Sequence, residues 1–296
     1  MSHQPSRVLV TGAAGRLGRA VLAELAARGV PAAGLDRRAP GNAPVDRFHV
    51  GEATDAALVR AALSDVDTVI HLAATPTPEH RPAAEVFVGN VAATFTVLDE
   101  VARAGVPRAV IASSFSITGL PFGPPALRPA HVPIDESSPL QVTDPYALSK
   151  QADEATAAMV SRRAGTAVAA LRFPLLGFPG GELGGDEGGG QLAAQAERYR
   201  ADPGSGVSHL WTYLDSRDAA RACWLAATVP LSGARPVFVT APETLAPYPT
   251  EELLDRFLPG VPRRAPLPGR TVPVDLTAAR TLLGFAAEHE YTLERA

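Results

Sequence analysis

The segment "DPYALSK" (residues 144–150) contains a tyrosine and a lysine whose types and spacing suit proton transfer. Tyr146 and Lys150 are four residues apart, so on a helix their side chains lie on one face. An ammonium near a phenol stabilises the phenolate and makes the tyrosine a usable base near neutral pH. Lys150 is the only lysine among 27 Lys and Arg residues. We therefore predict that the two act together; the alternative is that they are surface neighbours on a helix.

A glycine-rich turn near the start of the chain is typical of a dinucleotide site. The sequence "TGAAGRLG" (residues 11–18) follows a predicted strand and opens a predicted helix, and it contains Gly12, Gly15 and Gly18. Glycines let the backbone approach a pyrophosphate, whose charge faces the free N–H groups of the helix. The second predicted strand ends at Asp36, where a carboxylate accepts from ribose hydroxyls. The alternative is an ordinary tight turn.

The residues at Asp36 also bear on the choice between NAD and NADP. The carboxylate favours NAD, because it would repel the 2′-phosphate of NADP. Arg37 and Arg38 follow directly, and an arginine pairs well with such a phosphate. We predict NAD as the cofactor, with NADP as the alternative; the third interpretation is a solvated arginine pair at a strand end.

Five short apolar segments alternate with alanine-rich segments of helical periodicity. These apolar segments are "RVLVT", "PAAGLD", "DTVIHLAA", "RAVIASS" and "AVAALRF". Their continuous hydrophobicity indicates strands covered on both faces, as in repeated βαβ units. The predicted fold class is therefore α/β, a doubly wound parallel sheet of Rossmann type with a small C-terminal lobe for the substrate.

We predict one integrated domain with two functional parts. Residues 1–175 form the dinucleotide-binding core, to which residues 209–240 return, and residues 176–208 and 241–296 form the substrate lobe and lid. "HLWTYLD" and "PVFVTA" are predicted strands, and "SRDAARACWLAATV", "TEELLDRFL" and "VDLTAARTLLGF" are predicted helices. Residues 178–191 contain seven glycines and three acids, which predicts a mobile loop within the lid.

Composition excludes several classes of function. A net charge of −4 provides no basic stripe for nucleic acid. No segment approaches the ~20 apolar residues that a membrane span needs, so we expect a soluble cytoplasmic protein. Cys223 lies in an apolar run and is expected to be a buried thiol. His71 ends a predicted buried strand and is interpreted as a core histidine, and no group of side chains has the spacing of a metal site.

Taken in order, the motifs "TGAAGRLG", "HLAA", "IASSFSITG", "YALSK" and "LRFPLLG" resemble those of the extended short-chain dehydrogenases/reductases. This family includes NAD-dependent sugar epimerases, dehydratases and uronate dehydrogenases. The resemblance implies that Tyr146 is the general acid/base and that Lys150 binds the nicotinamide ribose and favours the phenolate. It also implies that Ser114 polarises the reacting oxygen, and that the protein is a homodimer.

The glycine motif and the resemblance together assign residues to the cofactor and to the substrate. The residues expected at the cofactor are Gly12, Gly15, Arg16, Leu17, Gly18, Asp36, Arg37, Glu52, Ala53, Leu72, Ala73, Ala74, Asn90, Tyr146, Lys150, Pro174 and Leu175. The residues expected near the substrate are Thr75, Ser114, Phe115, Ser116 and Trp211.

Two departures from the family pattern narrow the chemistry. Dehydratases of the family have an Asp-Glu pair after the catalytic hydroxyl residue, whereas this chain has Phe115 and Ser116, so elimination of water is not expected. Nucleotide-sugar enzymes of the family hold the pyrophosphate with an arginine before a strand, and this chain has "HLW" there. The three arginines of the C-terminal lobe that offer an alternative anchor are Arg263, Arg264 and Arg270.

These inferences predict an NAD-dependent oxidoreductase that transfers hydride at a secondary alcohol of a small, sugar-like metabolite, with Tyr146 as acid/base. One alternative is an NAD-dependent sugar or nucleotide-sugar epimerase that retains its cofactor. An alternative of another class is a regulator that senses the dinucleotide without catalysis.

Overall fold

The computed structural model describes residues 3–39, 41–79, 81–178 and 189–293. Seven parallel strands form one sheet in the order β3-β2-β1-β4-β5-β6-β9, and β7 and β8 form a separate parallel pair. The strands are β1 Val8–Thr11, β2 Ala32–Asp36, β3 Arg47–Val50, β4 Thr68–His71, β5 Arg108–Ser114, β6 Ala167–Phe173, β7 Leu175–Gly177, β8 Tyr213–Asp215 and β9 Ala234–Phe238.

Helices cover both faces of this sheet. They are α1 Arg16–Ala27, α2 Ala56–Ala62, α3 Ala83–Arg103, α4 Pro145–Ala164, α5 Gly189–Ala201, α6 Ser216–Thr228 and α7 Thr250–Phe257. Helices α1 and α6 pack together on one face, and α2, α3 and α4 pack on the other. All seven residues of β6 are buried, as expected for a strand between two helical layers. The predicted Rossmann-type fold is confirmed, and Cys223 is buried in α6 as predicted.

Two strands, β3 and β7, were not predicted from the sequence, and one predicted strand is only partly correct. Strand β3 has the sequence "RFHV" at the edge of the sheet and is partly exposed, so it lacks a continuous apolar run. The predicted strand "HLWTYLD" is correct only for β8. Residues Pro203–His209 form a 3-10 segment, and Leu210 and Trp211 then adopt positive φ of 48° and 54°, which turns the chain before β8 begins.

A second core lies beneath the C-terminal part of the chain. It contains side chains of α5 and α7 together with fully buried Trp211, Tyr199 and Tyr213. The predicted C-terminal helix "VDLTAARTLLGF" is reduced to a short π-helical segment, Ala279–Leu283. Most of the predicted glycine-rich lid lies outside the described residues; of its end, residues 189–191 belong to α5. In the described ranges, no helix has the length and apolar character to cross a membrane.

Candidate active site

Two adjoining cavities lie at the carboxyl ends of the parallel strands, where open α/β sheets bind ligands. We call the first the tyrosine cavity; it has a volume of about 500 Å³ and is lined by Tyr146, Lys150 and Ser114. The second, the Asp36 cavity, has a volume of about 260 Å³. Both are lined by Gly12 and by the loop after β4, so one elongated ligand can occupy them together.

Helix α4 positions the predicted catalytic pair. Its start is capped by Asp144, whose carboxylate accepts from the backbone N–H of Ala147 at 2.9 Å. Tyr146 therefore lies in the first turn, and Lys150 follows one turn later on the same face. The Lys150 Nζ is 5.8 Å from the centroid of the Tyr146 ring, and both side chains line the tyrosine cavity.

The Lys150 ammonium is held by two acceptors inside the protein. Its Nζ donates to the Ala112 carbonyl at 2.9 Å and to Oδ2 of Asp153 at 3.1 Å. Burial is the largest single effect and opposes the charge on Lys150, but Asp153, Tyr146 and Glu154 together outweigh it, and the pKa of Lys150 lies above its ordinary value. Lys150 is therefore cationic at neutral pH, and its third donor is available to a ligand hydroxyl. Asp153 was not predicted, although an acid three residues after a lone lysine on one helix face was the available signal.

Ser114 ends β5 and faces the same cavity. Its Oγ accepts from the backbone N–H of Ser116 at 3.1 Å, which begins the short 3-10 segment Phe115–Thr118. Hydrogen bonds to helix α4 hold the end of β5 in place. Ser113 donates to Glu154 at 2.6 Å, and Arg172 of β6 forms a bidentate pair with the same carboxylate. Ser114 is thus a buried hydroxyl held on the rigid end of a central strand.

Asn90 connects the cofactor side of the site to helix α4. Its side-chain amide accepts from the Thr75 N–H at 2.7 Å and donates to the Thr75 carbonyl at 3.0 Å and to the Ser149 hydroxyl at 3.1 Å. Both Asn90 and Thr75 line the Asp36 cavity. The structure therefore places Thr75 on the cofactor side, away from the lining of the tyrosine cavity.

His71 forms part of a buried hydrogen-bond chain behind Lys150. Its ring nitrogens lie 2.7 Å from the Thr11 hydroxyl and 3.1 Å from the Thr94 hydroxyl. Burial, with a contribution from the Lys150 charge, lowers the pKa of His71 to about 3. The ring is neutral at physiological pH, and the interpretation of His71 as a core histidine is confirmed.

The glycine turn fits a dinucleotide pyrophosphate. Gly12 has a φ of +69°, and a Cβ there would lie 2.8 Å from the backbone nitrogen of Ala73. A Cβ on Gly18 would overlap the Gly12 carbonyl oxygen. The N-terminus of α1 has Gly15 as its cap and no capping side chain, so its first N–H groups are available to an anion.

Asp36 closes the opposite end of the site. Its carboxylate accepts from the N–H of Ala14 at 3.0 Å and from the N–H of Arg38 at 3.0 Å, so it also braces the glycine turn. Arg37 is 3.9 Å from Glu52, and both side chains are more than half exposed. A dinucleotide running from Asp36 to Lys150 would contact the predicted residues, since each residue assigned to the cofactor lines one of the two cavities.

The residues predicted near the substrate separate into two groups. Ser114, Phe115 and Ser116 line the tyrosine cavity. Trp211 does not: it is fully buried in the second core, where its Nε1 donates to the Pro203 carbonyl at 2.8 Å. The prediction that Trp211 contacts the substrate is therefore not supported. Its neighbour His209 lines the cavity instead, because the left-handed turn at residues 210–211 directs Trp211 into the core.

The close approach at Gly12 leads to a stability prediction with a matched control. Gly29 has the same φ of +69°, but a Cβ added there would have nothing within 4 Å. We expect Gly29→Ala to lose about 1–2 kcal/mol from the left-handed backbone alone, and Gly12→Ala to lose about 1–3 kcal/mol more through contact with backbone at Ala73. Urea unfolding of both variants measures the difference. Equal losses of unfolding free energy in the two variants would show that the backbone around Gly12 accommodates the added methyl group without a further loss of stability.

Comparison with known proteins identifies the family of the chain. Residues 8–240 match the NAD dependent epimerase/dehydratase family. A 3-diazoavenalumate denitrifying reductase from a Streptomyces species is 30% identical over 298 residues, covering 98% of this chain and 91% of that protein. A UDP-glucose 4-epimerase from Azospirillum brasilense is 32% identical over 49% of this chain, and the match covers 41% of its length.

A solved structure shares the architecture over nearly the whole chain. The structure of MoeE5 in complex with UDP-glucuronic acid and NAD is 26% identical, with a TM-score of 0.71, and the match covers 96% of this chain and 94% of that one. The family match extends from β1 to the end of the core sheet and includes the glycine turn, Ser114, Tyr146 and Lys150. On this basis the chain belongs to the NAD dependent epimerase/dehydratase family.

Proposed function

We propose that the protein is an NAD-dependent oxidoreductase that interconverts a secondary alcohol and its ketone. The observation that carries this proposal is the convergence of Tyr146, Lys150 and Ser114 on one cavity that adjoins the glycine turn. A phenol, an ammonium and a hydroxyl that line one cavity suit removal of an alcohol proton. Phe115 and Ser116 provide no acid for elimination of water, and the described residues that line the cavity include no Asp or Glu.

Each side chain has a separate role in this proposal. When bound, NAD supplies the acceptor for the hydride that leaves the substrate carbon. Tyr146 takes the hydroxyl proton as the carbonyl forms, and returns it in the reverse direction. Ser114 donates a hydrogen bond to the same oxygen from the fixed end of β5. Lys150 stabilises the phenolate and binds a ribose hydroxyl with the donor that Ala112 and Asp153 leave unused.

The relatives support two candidate reactions of this kind. The relative that matches over almost the full length of this chain is named a reductase. Relatives named UDP-glucose 4-epimerase match about half of the chain, and they favour epimerisation with a retained cofactor as the second candidate. Both reactions use the same proton transfer at Tyr146, so the fate of the cofactor distinguishes them.

The deciding experiment measures bound and released dinucleotide. We expect protein purified without added cofactor to lose NAD on dialysis, and to form NADH in proportion to the secondary alcohol consumed, because an oxidoreductase must exchange its cofactor at each turnover. Near-stoichiometric NAD that survives dialysis, with sugar conversion and no net NADH, would establish the epimerase instead. Bound dinucleotide with no conversion of any alcohol or sugar would favour the non-catalytic regulator.

A further inference from the structure

The side chains beside Tyr146 are mainly apolar and aromatic. Among the described residues that line the tyrosine cavity without being assigned to the cofactor are Phe115, Pro121, Phe122, Leu176 and Phe178. The Phe122 ring stands edge-on to the Tyr146 ring, with centroids 6.3 Å apart and planes at 87°. A further ring placed at Tyr146 would therefore meet aromatic faces and edges in the arrangement that aromatic pairs prefer.

The charged groups in this cavity already have other roles. Of the described lining residues, Arg16 and Lys150 are the charged ones. Lys150 is paired with Asp153. Arg16 opens α1 beside the glycine turn, its guanidinium lies 3.9 Å from the centroid of Phe178, and it donates to Gln191 at 3.1 Å. Lys150 thus already has a counter-charge, and Arg16 is stacked on Phe178 at the start of α1.

The arginines that the sequence offered as alternative anchors for a nucleotide diphosphate are also engaged. Arg263 pairs with Glu251 and Asp255, and Arg270 pairs with Glu243. Arg264 is 3.7 Å from Asp135. None of the three lines the tyrosine cavity as the described residues define it. A diphosphate would therefore have to break an existing ion pair to obtain the charge-assisted hydrogen bonds that such groups need.

His209 occupies the place where an anchoring arginine was expected, and it provides no charge. Its Nδ1 lies 3.1 Å from the Ser208 hydroxyl. Burial, with the nearby Arg198 charge, holds the pKa of His209 below its ordinary value. The cavity thus presents a neutral imidazole, which can hydrogen-bond an uncharged polar group of a substrate.

We propose that the substrate is an uncharged aryl-substituted secondary alcohol or the corresponding ketone, and that it is neither a nucleotide sugar nor a sugar phosphate. Its ring lies against Phe122 and Phe178, and a polar substituent reaches His209. The cavity of about 500 Å³ must also hold the nicotinamide end of the cofactor, which leaves room for a compact ligand. This inference rests on the proposed oxidoreductase function and specifies its substrate class.

Binding and turnover are tested separately. Protein saturated with NAD is titrated by calorimetry with acetophenone, a ketone that the oxidised cofactor cannot reduce, and in parallel with UDP-glucose and glucose 6-phosphate. We expect acetophenone to bind with a Kd of about 1 mM or lower and both phosphorylated sugars to bind at least about 10-fold more weakly. Tighter binding of either phosphorylated sugar, or no binding of acetophenone at about 10 mM, would overturn the substrate class.

A pair of matched variants tests the aromatic wall. Phe122→Leu keeps an apolar side chain but removes the ring, and it is expected to weaken acetophenone binding about 2- to 10-fold. Phe95→Leu is the control, because Phe95 is 45% exposed on α3 and lines neither cavity. Circular dichroism melting curves confirm that both variants fold. Equal affinities in the two variants would contradict the proposed contact.

Turnover of 1-phenylethanol then tests the substrate class and the oxidoreductase function separately. NADH formed from this alcohol supports both the substrate class and the oxidoreductase function. Acetophenone binding without NADH formation from any alcohol keeps the substrate class and overturns the oxidoreductase function. NADH formed from a sugar or nucleotide sugar, with none from 1-phenylethanol, keeps the oxidoreductase function and overturns the substrate class.

Discussion

Replacement of Tyr146 by phenylalanine is expected to lower kcat by a factor of about 10² to 10⁴ while the protein remains folded. The variant removes the phenol oxygen and keeps the ring, so the edge-on contact with Phe122 is retained. The cavity wall and the start of α4 are unchanged, because the helix is capped by Asp144 and not by the tyrosine. The kcat is measured with the alcohol that the wild-type protein oxidises, and the fold by thermal melting.

Tyr248→Phe is the matched control for this prediction. The Tyr248 hydroxyl donates to the Arg200 carbonyl at 2.7 Å, and the residue lines neither cavity. Its removal costs about 1 kcal/mol of stability and should leave kcat unchanged. If Tyr146→Phe retained more than about a tenth of wild-type kcat, proton transfer by Tyr146 would not be the catalytic step assigned to it.

The parts of the structure that the sequence predicted have strong local signals. Strands β5 and β6 are continuous apolar runs between helical layers, and their predicted bounds agree with the structure. The glycine turn is recognisable because a strand precedes it and an amphipathic helix follows it. The i, i+4 spacing of Tyr146 and Lys150 places them on one face of any helix, so the pair could be identified without knowledge of the rest of the fold.

The features that were missed depend on contacts between distant segments. Trp211 and His209 are two residues apart, and only the left-handed backbone between them decides that the tryptophan enters the core while the histidine lines the cavity. Phe122 lies in a proline-rich loop that has no periodicity. Its position beside Tyr146 depends on the path of that loop between β5 and α4. Dimerisation and a cytoplasmic location stay predictions, as does the division of the chain into core and lobe.

Replacement of Lys150 by methionine is expected to have the second large effect. The sequence predicts a loss of activity, and the structure predicts a loss of stability as well. The sequence predicts that Lys150 acts with Tyr146 and gives no sign that the lysine is buried in an ion pair. The structure shows it 4% exposed and paired at 3.1 Å with Asp153, which is itself 1% exposed. Lys150→Met would therefore leave a buried carboxylate without its counter-charge. Breaking a buried pair in this way costs about 3–5 kcal/mol, so the variant should lose stability as well as activity.

The double variant Lys150→Met/Asp153→Asn separates these two losses. It removes both charges, so we expect it to recover at least about half of the lost unfolding free energy, since replacing a whole buried pair is often nearly neutral. It should stay inactive, because Lys150 is the group proposed to stabilise the Tyr146 phenolate and to bind the ribose. Urea unfolding and kcat of the wild type, both single variants and the double variant complete the cycle.

The difference in unfolding free energy between the wild type and Lys150→Met should depend on pH in a defined direction. The pKa of Lys150 is raised in the folded protein, so its stabilising contribution is fully present below the unfolded lysine value of about 10.4 and is lost as the pH rises through the higher folded value. The stability gap between wild type and Lys150→Met should therefore narrow above about pH 10. Below that pH it should widen as the pH rises, because burial raises the pKa of Asp153 and the variant has no ammonium to offset the charge of the carboxylate as it ionises. A gap that already narrows near neutral pH would mean that Lys150 loses its proton there and is not held as an ammonium. In that case support of the Tyr146 phenolate by a buried cation would have to be abandoned, even if every Lys150 variant were inactive.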